Sequence, residues 1–143
     1  MTEADIARVP VGNLRVPRAV FAAVWTAAED RDWAAAAGVA PWFRAGVAAT
    51  CRWMAVARVE SIIGGHRLAP APVSSREVLA DEELIEAEYL AAEQLGRRCP
   101  DLVEHRPGWC EAIVATLRWA WRQEAPAPLP VVPTVPARGP AAG

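Results

Sequence analysis

The sequence contains no lysine, and all 15 of its basic residues are arginine. One tyrosine and two phenylalanines stand beside seven tryptophans. In a chain rich in Ala, Val and Pro, an arginine-only basic set fits a GC-rich, actinobacterial composition. The missing lysine therefore carries no functional meaning. Cysteine is sparse: Cys51, Cys99 and Cys110 are too few, and odd in number, for a disulfide framework, which points to a reducing, cytoplasmic setting. A net charge of −2 removes the general electrostatic case for nucleic acid or an anionic membrane as partner. Residues 1–18 carry early acids and no apolar core of a secretory signal. The most apolar run, Val39 to Val59, is broken by Arg44, Arg52 and Arg58, which excludes it as a bilayer span.

What remains is a 143-residue chain, 53% hydrophobic, enough for one domain with a real core. Its most informative feature occurs twice. Pro41 to Trp53 reads PWFRAGVAATCRW, and 66 residues further on Pro107 to Trp119 reads PGWCEAIVATLRW. Upstream of each copy lies an aromatic-x-Ala-Ala-Glu segment, Trp25 to Glu29 and Tyr89 to Glu93. The predicted architecture is all-α: a four-helix bundle built from two tandem related helical hairpins.

The expected boundaries follow from breakers and caps. Residues 1–16, with Pro10, Gly12 and Asn13, read as an extended arm. Hairpin one spans 17–64, with helices over about 17–36 and 41–63 separated by Gly38 and opened by Pro17 and Pro41. A connector with two prolines covers 65–73. Hairpin two spans 74–124, its first helix opened by a Ser74/Glu77 capping box with Val73 and Val78 as staple. Its second helix starts near Pro107 and ends before Pro126. Residues 125–143 hold five prolines between 126 and 136 and read as a polyproline-like tail.

Hairpin register places Trp25 opposite Arg52, and Tyr89 opposite Thr116 to Arg118. Cation–π stacking of Arg52 and Arg118 on those rings is the expectation. Trp53 and Trp119 close each copy as structural repeat residues. Asp81 and Glu88 share a core-facing stripe of the acidic helix, where an internal ion pair with Arg52, Arg118 or Arg122 is expected.

Several kinds of chemistry can be weighed against the residues present. Glu82-Glu83-Leu84-Ile85-Glu86 resembles the first Mg²⁺-binding element of the all-α nucleotide pyrophosphohydrolases. That resemblance implies metal-dependent hydrolysis with Glu82, Glu83 and Glu86 as ligands. Glu29-Asp30-Arg31-Asp32 has the spacing of that family's second element but precedes the first instead of following it. A ferritin-like di-iron site is excluded, because His66 and His105 fall in connectors. Cys99, His105 and Cys110 lack a fourth zinc ligand nearby, and no third group orients them for nucleophilic catalysis. Arg44, Arg52 and Arg58 would share one face of the second helix, yet the acidic third helix and the scarcity of Asn and Gln argue against base reading.

Partner binding is the best-supported class. Trp33, Trp42 and Trp121 sit near helix ends, where an interface would use them, and Leu129, Pro130 and Val131 open a segment suited to a groove on another protein. The sequence thus points to a non-enzymatic interaction or adaptor module with a protein partner or self-association. It points to no cofactor and no membrane, with a Mg²⁺-dependent pyrophosphohydrolase-like enzyme and a nucleic-acid-binding regulator as the alternatives.

Overall fold

The computed structural model describes residues 2–60 and 63–131, and the chain is mostly helical with one small sheet. In chain order come α1 (Glu3–Ala7), a 3-10 turn (Val11–Asn13), α2 (Arg18–Glu29), α3 (Arg31–Ala36) and α4 (Pro41–Met54). The strands β1 (Arg58–Glu60) and β2 (His66–Leu68) follow, then α5 (Glu82–Arg98), α6 (Pro100–His105) and α7 (Trp109–Ala120). Helix α4 packs most extensively on α7, α2 lies against α4, and α5 lies against α7. Phe21, Trp53, Met54, Ile85, Ile113 and Leu117 are fully buried between them. Phe21 of α2 stacks on Trp119 of α7, with centroids 6.2 Å apart and planes 9° from parallel.

Several sequence expectations are corrected. The first helix breaks at Asp30, whose side chain accepts the Trp33 amide at 3.0 Å and caps a new helix, α3. Helix α4 stops at Met54 rather than near 63. Val56 turns to φ 56°, and the Ala57 amide closes the helix end with a local bond to the Arg52 carbonyl, five residues back, at 2.9 Å. The chain then forms the antiparallel β1–β2 hairpin, with Val59 opposite Arg67. Arg58 therefore sits on a strand and shares no helical face with Arg44 and Arg52.

The Ser74/Glu77 capping box does not form. Helix α5 starts at Glu82 on the cap of Asp81, whose carboxylate accepts the Leu84 amide at 2.8 Å. The Val73 and Ser74 amides are taken instead by the buried carboxylate of Glu88, at 2.9 and 3.3 Å. Glu88 thus takes the Ser74 amide that the Glu77 carboxylate would accept in a capping box, while Glu77 pairs with Arg67 at 2.8 Å. Pro100 ends α5 and opens α6, and Gly108, at φ 96°, starts α7.

The N-terminal segment is also more than an extended arm. Thr2 and Asp5 form a reciprocal capping box that opens α1. Val9 and Leu14 are buried, and the buried Asn13 amide donates to the carbonyls of Met54 and Ala80, at 2.9 and 3.0 Å. One side chain thereby ties the end of α4 to the start of α5. At the other terminus Leu129 is buried in the core, so the chain beyond α7 folds back rather than leaving the domain. Residues 132–143 of the expected polyproline-like tail lie outside the described residues.

Candidate functional site

The repeated residues are structural at both ends of the domain. Trp25, Tyr89, Trp53 and Trp119 are buried, and Thr50 and Thr116 each turn the hydroxyl back to the carbonyl four residues earlier, in Gly46 and Ala112. The expected stacking of Arg52 on Trp25 and Arg118 on Tyr89 is not what holds these arginines. Arg52 Nε donates to Glu29 Oε2 at 3.0 Å, and Arg118 Nη2 to Glu93 Oε2 at 3.2 Å. A carboxylate offers two acceptors in the plane of the guanidinium fork, which a ring face does not. Arg118 Nε meets the Tyr89 hydroxyl at 3.2 Å, and that bond, followed by Glu93, raises the Arg118 pKa. The cation over the Tyr89 ring is Arg122, 4.6 Å from its centroid.

The carboxylates proposed as metal ligands are engaged elsewhere. Glu82 faces Arg15 at 3.5 Å, and Glu86 accepts from Arg122 and from Trp121 Nε1, while Glu83 is exposed. Among the described residues no group of three His, Cys, Asp or Glu side chains converges to hold a metal. Asp81 is an exposed cap rather than a core group, and Glu88 is satisfied by backbone amides rather than by Arg52, Arg118 or Arg122. Cys51 is a core residue whose thiol pKa burial pushes up, and burial does the same to the half-buried Cys110. His105 Nδ1 lies 2.7 Å from the Asp101 carbonyl, in its own helix.

Of the tryptophans expected at an interface, two are committed inward. Trp121 is buried under the Arg15 guanidinium, 4.1 Å from its centroid, and Trp33 is half-buried against the core. Leu129 is buried and Val131 half-buried, which leaves only Pro130 of that trio exposed. Trp42 differs. It remains 38% exposed at the first turn of α4.

Its surroundings make the candidate site. A groove of about 450 Å³ runs between α3 and α4, floored by Ala34, Ala35, Val39 and Ala45, with Arg31 and Arg44 on its rim. Trp42 forms one wall and meets Trp109 edge to face at 6.1 Å and 86°. The Arg106 guanidinium sits 5.1 Å from the Trp42 centroid and 5.2 Å from that of Trp109. Arg44 donates to the Ala28 carbonyl at 2.7 Å, and its pKa is lowered, first by burial and then by the charge of Arg31. The groove lining carries two guanidiniums and no carboxylate, while Glu29 acts on Arg44 from outside it and Arg31 also lines a neighbouring pocket with Glu29, Asp30 and Asp32.

Sequence reasoning found Trp42 by its place at a helix start. It missed Arg31, Arg44 and Arg106 as a set, because no spacing rule joins the first turn of α3 to the loop before α7. Comparison with models of protein families, with curated proteins and with solved structures gives no significant match to this chain.

Proposed function

We propose that the protein is a non-enzymatic interaction module that binds an extended, acidic segment of a partner protein in the Trp42 groove. One observation carries this: an exposed tryptophan stands among Arg31, Arg44 and Arg106 beside an apolar floor, with no acid among the groove-lining residues. Tryptophan and arginine are the side chains from which interface hot spots are most often built. An apolar side chain of the partner fits the alanine-lined floor, and flanking carboxylates satisfy the rim.

The scaffold we infer is a four-helix bundle made of two tandem hairpins, α2–α4 and α5–α7, related by duplication. Equivalent ion pairs, Arg52–Glu29 and Arg118–Glu93, support it. So does the contact between α4 and α7 at which Gly46 meets Ala112, its own counterpart in the repeat. A residue meeting its counterpart is the signature of a two-fold relation. A metal-dependent hydrolase built on Glu82, Glu83 and Glu86 has less support, since Arg15, Arg122 and Trp121 occupy two of the three carboxylates.

Selection of a displayed peptide library on the full chain tests the assignment. Enriched sequences are expected to carry an apolar residue flanked by Asp or Glu, and Arg31→Glu to weaken the selected peptide at least tenfold. Enrichment without acidic residues contradicts it. So does an oligothymidylate that competes for Trp42, because a stacked single strand would then be the ligand.

A further inference from the structure

The two halves differ most beside their buried aromatic residues. In the second half the space next to Tyr89 is filled: Arg118 bonds its hydroxyl, and Arg122 lies over its ring and pairs with Glu86. In the first half the matching step of the gapless alignment is Val56, too short to do what Arg122 does. A cleft of about 800 Å³ opens there, walled by α1, the inner end of α2, the end of α4 and the β1–β2 hairpin. Its volume lies within the range of small-molecule sites.

Three observations give the cleft its chemistry. Trp25 lines it at 3% exposure, and the Trp25 Nε1–H is a buried donor with no hydrogen-bond partner among the described residues. A buried donor left unpaired is costly, and a ligand acceptor that reaches it would recover that cost. Arg8, Arg52 and Arg58 all line the cleft, against the carboxylates of Asp5 and Glu29. Asp5 is paired with Arg8 and Glu29 with Arg52, so Arg58 on β1 contributes the excess positive charge. His66, opposite Glu60 on the neighbouring strand, also lines the cleft and adds a ring nitrogen.

We propose that this cleft binds a small organic oxyanion. The anionic group meets Arg58, and an acceptor atom takes the Trp25 Nε1–H. A carboxylate and a phosphate monoester share that chemistry, and neither depends on the Trp42 groove, which lies between α3 and α4.

The test follows the indole N–H resonance of Trp25 in the ¹⁵N-labelled full chain, assigned with Trp25→Phe. Benzoate, inorganic phosphate and adenosine 5′-monophosphate are titrated separately to millimolar concentration. At least one is expected to shift that resonance saturably, and which one distinguishes a carboxylate ligand from a phosphate ligand. Arg58→Glu, at an exposed strand position, is expected to weaken the responding probe at least tenfold with an unchanged melting temperature. Trp25→Phe keeps the ring's bulk and is expected to weaken it about tenfold through loss of the donor alone. Absence of a shift with all three probes overturns the assignment, and so does a shift that survives Arg58→Glu unchanged.

Discussion

Gly46 and Ala112 face each other where α4 crosses α7. A Cβ built on Gly46 would lie 2.6 Å from the Ala112 Cβ and 2.9 Å from the Trp109 carbonyl oxygen. No side chain other than hydrogen fits there without moving a helix. Glycine in mid-helix sacrifices about 1 kcal/mol of helix propensity relative to alanine, and here it permits the approach that buries Val47, Ile113 and Leu117.

Gly46→Ala should therefore destabilise the domain by about 1–3 kcal/mol, despite alanine's better helix propensity. Adding Ala112→Gly should restore part of the loss, because the shorter contact disappears while the Trp109 carbonyl remains. Urea denaturation of the two single variants and the double variant reads both quantities. A stabilised Gly46→Ala would show that the helices are farther apart than described.

Glu88 is buried and accepts from two backbone amides, which ties the Val73–Ser74 turn to α5. Glu88→Ala leaves both donors without their acceptor and should cost about 1–3 kcal/mol. Glu88→Gln keeps one carbonyl acceptor and should fall between the two. Equal stability of all three proteins by thermal unfolding would contradict this role.

Asn13 has the matching role at the other end. Its amide reaches the carbonyls of Met54 and Ala80, so Asn13→Ala should cost about 1–3 kcal/mol. Asn13→Asp should cost more, because it replaces a double donor by a buried charge facing two carbonyl oxygens. The order Asn, Ala, Asp in melting temperature checks it.

Helix α1 should be sensitive to acid. The Asp5 carboxylate accepts from the Thr2 backbone amide at 2.7 Å and from the Thr2 hydroxyl at 3.0 Å. The backbone bond is the larger of the causes that hold its pKa below the ordinary 3.8. A depressed carboxylate contributes its stabilisation fully above the unfolded value and loses it as pH falls through the folded one. Helicity at residues 3–7, read from amide chemical shifts, should hold to about pH 4 and decline below it. Asp5→Asn should remove that dependence, and titration of Asp5 at or above 3.8 in the wild type would contradict it.

How far the sequence carried the fold is clearest at its helix starts. Pro17 and Pro41 sit where α2 and α4 begin, and the paired copies PWFRAGVAATCRW and PGWCEAIVATLRW form the two helices at the centre of the core. The failures have two causes. The Thr2/Asp5 and Asp30 caps are local signals that the apolar periodicity does not carry, whereas at Ser74 and Asn13 a distant partner decides: Glu88 takes the Ser74 amide, and Asn13 bonds across to two helix ends. No periodicity in the chain encodes those meetings. Trp42 was legible as a tryptophan at a helix start, but its arginine surround depends on α3 and the loop before α7 arriving together.

The central claim is that Trp42 anchors a protein partner, and calorimetric titration of a library-selected acidic peptide tests it most directly. Trp42→Ala should lose at least tenfold in affinity while still unfolding cooperatively, since the ring is 38% exposed, with the edge-to-face Trp109 and the Arg106 guanidinium beside it. A Trp42→Ala protein that binds the peptide as tightly as wild type would contradict the account.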